Sequence, residues 1–460
     1  MADRLLAELR AGLPEGAVLD DPDVVLSYRH DQAMFAPSEL PACVVLPRDR
    51  EQVQHVLRVA SRYAVPVVPR GAGSGLAGSS NGVAGCVTLL LTRLDRIVEV
   101  DPANRLAVVQ PGVVNRDLRH AVEAHGLFYP PDPSSYDWCT IGGNLSTNAG
   151  GLCCVKYGVT TDFVLGLEVV LADGEVLRTG RRTVKGVAGY DLCRLFVGSE
   201  GTLGVITEAT LQLRPRPAPP VTMVATFPSA AAAGDAVAAV VPEGLVPSLL
   251  EIMDKTCIHA VDDWKHMELD RDAEALLLAQ SDTGGERGQA EIAAISALAD
   301  KHGAVEVYST EDPDEGELLL TARRIVLTAL ERVGSILIDD VAVPRSRIGE
   351  LLTRTAEIAA ETGTRIGVVG HAGDGNMHPT VIFDPADESG KAAAYDAFSR
   401  ILDAGLQLGG TVTGEHGIGT LKLDWLEREV GPTSLRVHRA IKAALDPQGI
   451  LNPGKIFRPA

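Results

Sequence analysis

The ten residues Gly370-His371-Ala372-Gly373-Asp374-Gly375-Asn376-Met377-His378-Pro379 carry two imidazoles, a carboxylate, an amide and three glycines. A run of this composition reads as a site and not as core. A buried strand favours β-branched and aromatic side chains, and each interior glycine costs a helix about 1 kcal/mol relative to alanine. The preceding Arg365-Ile366-Gly367-Val368-Val369 reads as a strand, so His371 stands at its end and His378 beyond a tight glycine turn. Two neutral imidazoles brought to one point suit a divalent metal. Later in the chain Gly414-Glu415-His416-Gly417-Ile418-Gly419 supplies a carboxylate beside a third imidazole, flanked by glycines as where backbone crowds a bound group. His371, His378 and Glu415 are the candidate metal ligands, with His416 left as a base. The competing reading is a pair of hydrogen-bonded histidines in a polar turn.

Around these residues lies a chain of 460, long enough for two or three domains, with 45% hydrophobic residues to fill their cores. Its 61 acidic against 42 basic residues give a formal charge of −19, which excludes nucleic acid and anionic lipid as expected partners and requires a local cation for any anionic substrate. Seven cysteines without a Cys-x-x-Cys pair predict reduced thiols in a cytoplasmic protein. The acids near the start of the chain and the lack of an eighteen-residue apolar run predict neither a signal peptide nor a transmembrane span.

Several elements must position the site. Pro41 to Pro47 reads as a strand, Arg48 to Tyr63 as an amphipathic helix and Val65 to Pro69 as a second, parallel strand. The loop that follows contains Gly73-x-Gly75-x-x-Gly78, the dinucleotide-binding pattern, but no helix opens there: Ser79-Ser80-Asn81-Gly82 continues the loop and Cys86 to Leu91 is another strand. A loop with so little side chain can instead wrap its amides around a pyrophosphate. Two further glycine-rich segments follow, Cys139 to Gly151 and Gly198 to Thr207, separated by a hairpin about Asp173-Gly174. Pro215 to Pro220 marks a domain boundary. From 221 to about 408, short strands alternate with alanine-rich helices such as Ser229 to Val240 and Glu286 to Lys301, which suggests an antiparallel sheet backed by helices.

Eight ordered motifs now stand together: Pro69-Arg70-Gly71-Ala72-Gly73-Ser74-Gly75, Pro131-Asp132-Pro133-Ser134-Ser135, Thr140-Ile141-Gly142-Gly143-Asn144, Asn148-Ala149-Gly150-Gly151, Gly198-Ser199-Glu200-Gly201-Thr202-Leu203-Gly204, the His371 to His378 run, Gly414-Glu415-His416-Gly417 and Leu451-Asn452-Pro453-Gly454-Lys455. Over nearly its whole length the sequence resembles the glycolate oxidase large subunit and D-lactate dehydrogenase branch of the vanillyl-alcohol-oxidase-type flavoproteins, and is also similar to D-2-hydroxyglutarate dehydrogenase. The resemblance implies an α+β protein. A PCMH-type FAD-binding domain of two subdomains would span 1–216 (core about 37–216), an antiparallel α+β cap 217–408, and a C-terminal helical segment returning to the flavin 409–460. It assigns FAD to Arg70, Gly71, Ala72, Gly73, Ser74, Gly75, Pro131, Asp132, Thr140, Gly142, Gly143, Asn148, Ala149, Gly150, Gly151, Glu200, Gly204, Val205, Ile206 and Asn452. Relatives that tether the flavin covalently often carry a histidine in or beside the first glycine loop. Here that loop has none, and Cys139 has counterparts in non-covalent members, so non-covalent FAD is expected.

The resemblance also implies that His371, His378 and Glu415 bind a divalent metal (Zn, Mn or Fe), that His416 acts as base, and that Asn376 belongs to the catalytic set. Arg323 or Arg324 would clamp a carboxylate, and the resemblance favours Arg323. The implied reaction is FAD-dependent oxidation of a small D-2-hydroxy acid, D-lactate or glycolate, with D-2-hydroxyglutarate as the alternative substrate. Electrons would pass to a quinone, an electron-transfer flavoprotein or a partner subunit, through which a cytoplasmic chain would touch the membrane. Rival readings are a non-redox flavoprotein like the alkylglycerone-phosphate synthases, a metal hydrolase, and a non-catalytic subunit of a dehydrogenase complex.

Overall fold

A computed structural model describes residues 2–458. The chain divides into two compact units: 1–150 with 159–216 and 415–460, and 151–158 with 217–414.

The first unit contains two sheets. In the smaller, Cys43–Val45 and Val67–Arg70 both run parallel to Val87–Leu90, which lies between them, and Val18–Leu19 pairs antiparallel at the edge. The two strands flanking the Arg50–Tyr63 helix are therefore parallel but not neighbours. That helix turns Val53, Val56, Leu57 and Ala60 to the core at the spacing the sequence predicts. The larger sheet is antiparallel, in the order Ile97–Asp101, Leu106–Val109, Val205–Gln212, Val164–Val170, Val176–Gly180. The second glycine-rich segment is not loop throughout: Ile141–Thr147 is a short helix whose N-cap Thr140 accepts a hydrogen bond from the Gly143 amide.

The second unit is built on an eight-stranded antiparallel sheet. Its path is Glu306–Thr310, Val221–Phe227, Ala275–Ser281, Leu249–Asp254, Arg365–His371, Asn376–Phe383, Ser335–Ile338, with Val341–Ala342 also pairing to Asn376–Phe383. Helices Lys255–Lys265, Pro313–Arg324 and Val326–Glu331 pack on one face, around a core that includes Met253, Ile258, Leu276, Leu278, Leu330 and Val369.

One expectation needs correcting. The His371 to Pro379 run is not a polar turn standing off the core: only Ala372–Gly375 turns, and Asn376 to Phe383 is a fully buried strand, one in from the end of the sheet. His378 lies inside that strand, opposite Val369. Pairing to three neighbouring strands offsets the cost that strand propensity assigns to Asn, His and Pro, because register and burial outweigh intrinsic preference. The turn itself depends on Gly375, which has φ +80° and leaves no room for a Cβ against the Val343 carbonyl.

Candidate active site

Residues on antiparallel strands that stand opposite one another share a face. Leu276 faces Met253, Met253 faces Val369, and Val369 faces His378, so these four form a row across the second unit's sheet. His371, two residues beyond Val369, emerges on the same face. The imidazoles of His371 and His378 meet edge to face with centroids 5.1 Å apart, and a ring nitrogen of each lies within 4.8 Å of the other. Both are nearly out of solvent, at 3% and 6% exposure.

Each histidine has a carboxylate nearby that the sequence reading did not assign. Glu251, 1% exposed, places Oε1 2.8 Å from His371 Nδ1 and accepts from Arg323 Nε on Oε2 at 2.7 Å. Such a carboxylate fixes the imidazole tautomer and leaves Nε2 as the nitrogen offered to a ligand. Asp340 lies 3.7 Å from His378 Nδ1 and accepts from Asn376 Nδ2 at 2.9 Å and from Thr413 Oγ1 at 2.7 Å. Asn376 is thereby held by Asp340, and the Gly414 amide donates to the Asp340 carbonyl at 3.1 Å. Glu415 and His416 are the next two residues of the chain, with His416 Nε2 3.7 Å from Glu415 Oε1. A sequence signal existed for both missed acids. Glu251 is a lone carboxylate inside Leu249-Leu250-Glu251-Ile252-Met253, and Asp340 closes the apolar Ile336-Leu337-Ile338 strand.

The structure separates the two candidate arginines. Arg323 lies on the inner side of the Pro313–Arg324 helix, is 4% exposed, and commits Nε to Glu251. Arg324 is more exposed and pairs with Glu317 on the same helix.

The residues assigned to FAD lie in the first unit, except Gly151, which begins the 151–158 segment of the second. Gly71 packs so closely on the Thr140 hydroxyl that a Cβ there would overlap it, which brings the first two glycine segments together. The third joins them through the Glu200 amide, which donates to the Ser146 carbonyl at 2.8 Å, and through Glu200 Oε2, which accepts from Ser79 Oγ at 2.6 Å. Asn452 Nδ2 ties in the C-terminal segment, donating to the Ser79 carbonyl at 2.9 Å and the Glu200 carbonyl at 2.6 Å. Glu200 also accepts from the Ile418 and Gly419 amides, each at 2.8 Å, so both its oxygens are engaged in pinning the loops. Burial pushes its carboxyl above the usual range, and these donors oppose the shift.

Arg70 is likewise an internal pin, donating to the His30 carbonyl at 2.7 Å; burial lowers its pKa. Asp31 nearby, receiving the Ala33 and Ser80 amides, is pushed up to about 6 by burial. Asn148 takes a left-handed backbone, φ +55°, and its Oδ1 accepts from the Thr161 amide. Asn115 Nδ2 donates to the Pro131 carbonyl at 3.1 Å, Asp132 is buried beside it, and Gly204, Val205 and Ile206 open a buried strand. Cys139 is buried against Asn144, and all seven cysteines are free thiols. A framework that buries this many polar groups to hold glycine-rich backbone in place suits a ligand bound largely by amides, as a pyrophosphate is.

Residues 216–456 match the family described as FAD linked oxidases, C-terminal domain, and residues 41–180 match FAD binding domain. Among curated relatives, glycolate oxidase subunit GlcD of Bacillus subtilis (strain 168) is 42% identical over 433 residues, 94% of this chain and 92% of the relative. A D-lactate dehydrogenase of Archaeoglobus fulgidus is 36% identical over 94% of this chain and 96% of its own. Solved structures of p-cresol methylhydroxylase with substrate bound (TM-score 0.83, 18% identity) and of 4-ethylphenol oxidase from Gulosibacter chungangensis (TM-score 0.77, 21% identity) each cover 99% of this chain and 97% of their own. They share the vanillyl-alcohol-oxidase-type fold. A match over more than half the chain, together with relatives aligned nearly end to end, shows that this protein belongs to the FAD-linked oxidases and is a flavoprotein oxidoreductase.

Proposed function

We propose that the protein oxidises a small D-2-hydroxy acid, D-lactate or glycolate, to the 2-oxo acid. The observation that carries this reading is the Arg323–Glu251–His371 chain beside His378: a buried cation for a carboxylate lies one residue away from a pair of imidazoles for the neighbouring hydroxyl. Arg323 spends only Nε on Glu251, so its two terminal nitrogens remain for a charge-assisted, two-point grip on the substrate carboxylate. Asn376, held by Asp340, adds a fixed amide to the polar end. His416 takes the hydroxyl proton as C2 gives up its hydride.

FAD, bound non-covalently by the glycine segments, supplies the two-electron acceptor. The donor set of two buried imidazoles, one oriented by a carboxylate, fits a divalent ion. With Glu415 as third ligand, Zn, Mn or Fe would supply Lewis acidity toward the substrate hydroxyl. The names of the relatives, glycolate oxidase subunit and D-lactate dehydrogenase, support the substrate class. Electrons would leave to a quinone, an electron-transfer flavoprotein or a partner subunit. Among the described residues no helix is long and apolar enough to cross a membrane, and a cytoplasmic location belongs to the same proposal.

The test is dialysis against a chelator. Turnover of D-lactate or glycolate should be lost while FAD stays bound, and added divalent metal should restore it. Full turnover by metal-free protein would contradict the metal's part in this reading.

A further inference from the structure

The sheet face that carries the two histidines continues into a cavity of about 460 Å³, a size typical of small-molecule sites. Its floor is the same cross-strand array: Met253 and Leu276 extend the row of His378, and Val224 and Leu278 extend the row of Glu251. With strands about 4.8 Å apart, Met253 lies two strands, roughly 10 Å, from His378. Arg323 and Glu251 are part of the lining, and Leu318 and Leu319 of the Arg323 helix contribute to it as well. The arginine that would hold a carboxylate thus borders an apolar space larger than lactate or glycolate needs.

The lining carries four formally charged residues, Glu251 and Glu268 against Lys265 and Arg323, so it has no excess of positive charge for a second carboxylate. Lys265 lies over the Trp264 ring, 4.2 Å from its centroid.

We propose that this cavity is the subsite for the substrate's side chain, and that the protein's preferred substrates are D-2-hydroxy acids with unbranched apolar side chains of two to four carbons. The inference rests on the reading of the site as a 2-hydroxy acid oxidase. The reaction is unchanged: C2 loses hydride to FAD and its hydroxyl loses a proton, giving the 2-oxo acid and reduced flavin. Only the group attached to C2 differs, and it displaces water from a floor of Leu, Met and Val. Each methylene buried there should raise the second-order rate constant about fourfold.

The experiment is anaerobic stopped-flow reduction of the FAD-loaded protein by D-lactate, D-2-hydroxybutanoate, D-2-hydroxyhexanoate and D-2-hydroxyglutarate. The expected result is a rise of roughly 60-fold from D-lactate to D-2-hydroxyhexanoate, three methylenes longer. In Leu319→Trp, a change at a half-buried position that fills the cavity from the helix side, the rise should vanish, leaving D-2-hydroxyhexanoate no faster than D-lactate. D-Lactate reducing the flavin with a flat or falling series, or D-2-hydroxyglutarate outpacing D-2-hydroxyhexanoate, would overturn the subsite and leave the oxidase reading intact. Silence toward every acid, D-lactate included, would overturn both. The series in the unaltered protein decides the matter should the variant not fold.

Discussion

Glu251 is the residue on which the two halves of the proposed chemistry depend, because one carboxylate holds both His371 and Arg323. Glu251→Gln keeps the shape but replaces one acceptor oxygen by a donor, so either Arg323 loses its acceptor or His371 takes the tautomer that protonates Nε2, the nitrogen offered to the metal. We expect metal affinity to fall about 10–100-fold, the usual effect of losing such a partner, with FAD content unchanged. Metal content after dialysis, measured by elemental analysis, checks this without reference to turnover; unchanged content would show that Glu251 does not orient the ligand. His416 makes a different prediction. As the base, its replacement by alanine should slow flavin reduction by about 10²–10⁴-fold with metal and FAD retained. Normal reduction by the His416→Ala protein would remove it from the mechanism.

At the level of elements, the glycine-rich sequence announced its turns but concealed its strand. The alternation of polar and apolar residues in Asn376-Met377-His378-Pro379 was masked by their chemistry, and only pairing to Arg365–His371 and Val341–Ala342 shows them as sheet. The helix spacing at Arg50–Tyr63 and the hairpin at Asp173-Gly174 were legible because local periodicity and turn chemistry decide them. Glu251 and Asp340 stand out against apolar runs, but their roles were not legible, since these come from neighbours more than 30 residues away.

Asp254 is a similar case: it caps the Lys255–Lys265 helix by accepting from the Cys257 amide at 2.9 Å, and burial pushes its carboxyl from 3.8 up to about 6. A raised carboxyl pKa means the folded state holds the proton more tightly than the unfolded chain. The resulting stability is present below about pH 4 and is lost as pH rises toward 6. Asp254→Asn keeps a cap acceptor without this titration. Relative to the unaltered protein, the variant should therefore gain roughly 2–3 kcal/mol between pH 4.5 and pH 7.5 in urea unfolding. A pH-independent difference would show that the carboxyl does not titrate in that window.

For the whole molecule, the two units divide the labour as their chemistry suggests: one gathers glycine segments around pinned polar side chains, the other sets imidazoles and the floor of an apolar cavity on a single sheet face and brings an arginine to it from the Pro313–Arg324 helix. The absence of histidine between Arg70 and Ser80 predicts that acid precipitation will release the flavin into the supernatant. Colour retained in the pellet would mean a covalent bond.

The central claim is that this face reads a hydroxyl and a carboxylate on one carbon of fixed handedness. Anaerobic flavin reduction by D-lactate, L-lactate and D-lactate methyl ester tests it most directly. With Arg323 gripping the carboxylate, the imidazoles reading the hydroxyl and the flavin required on the side of the C2 hydrogen, three points fix the handedness, so D-lactate should bleach the flavin while its mirror image and its ester, which lacks the charge for the two-point grip, should not. Equal bleaching by L-lactate, or rapid bleaching by the ester, would contradict the account.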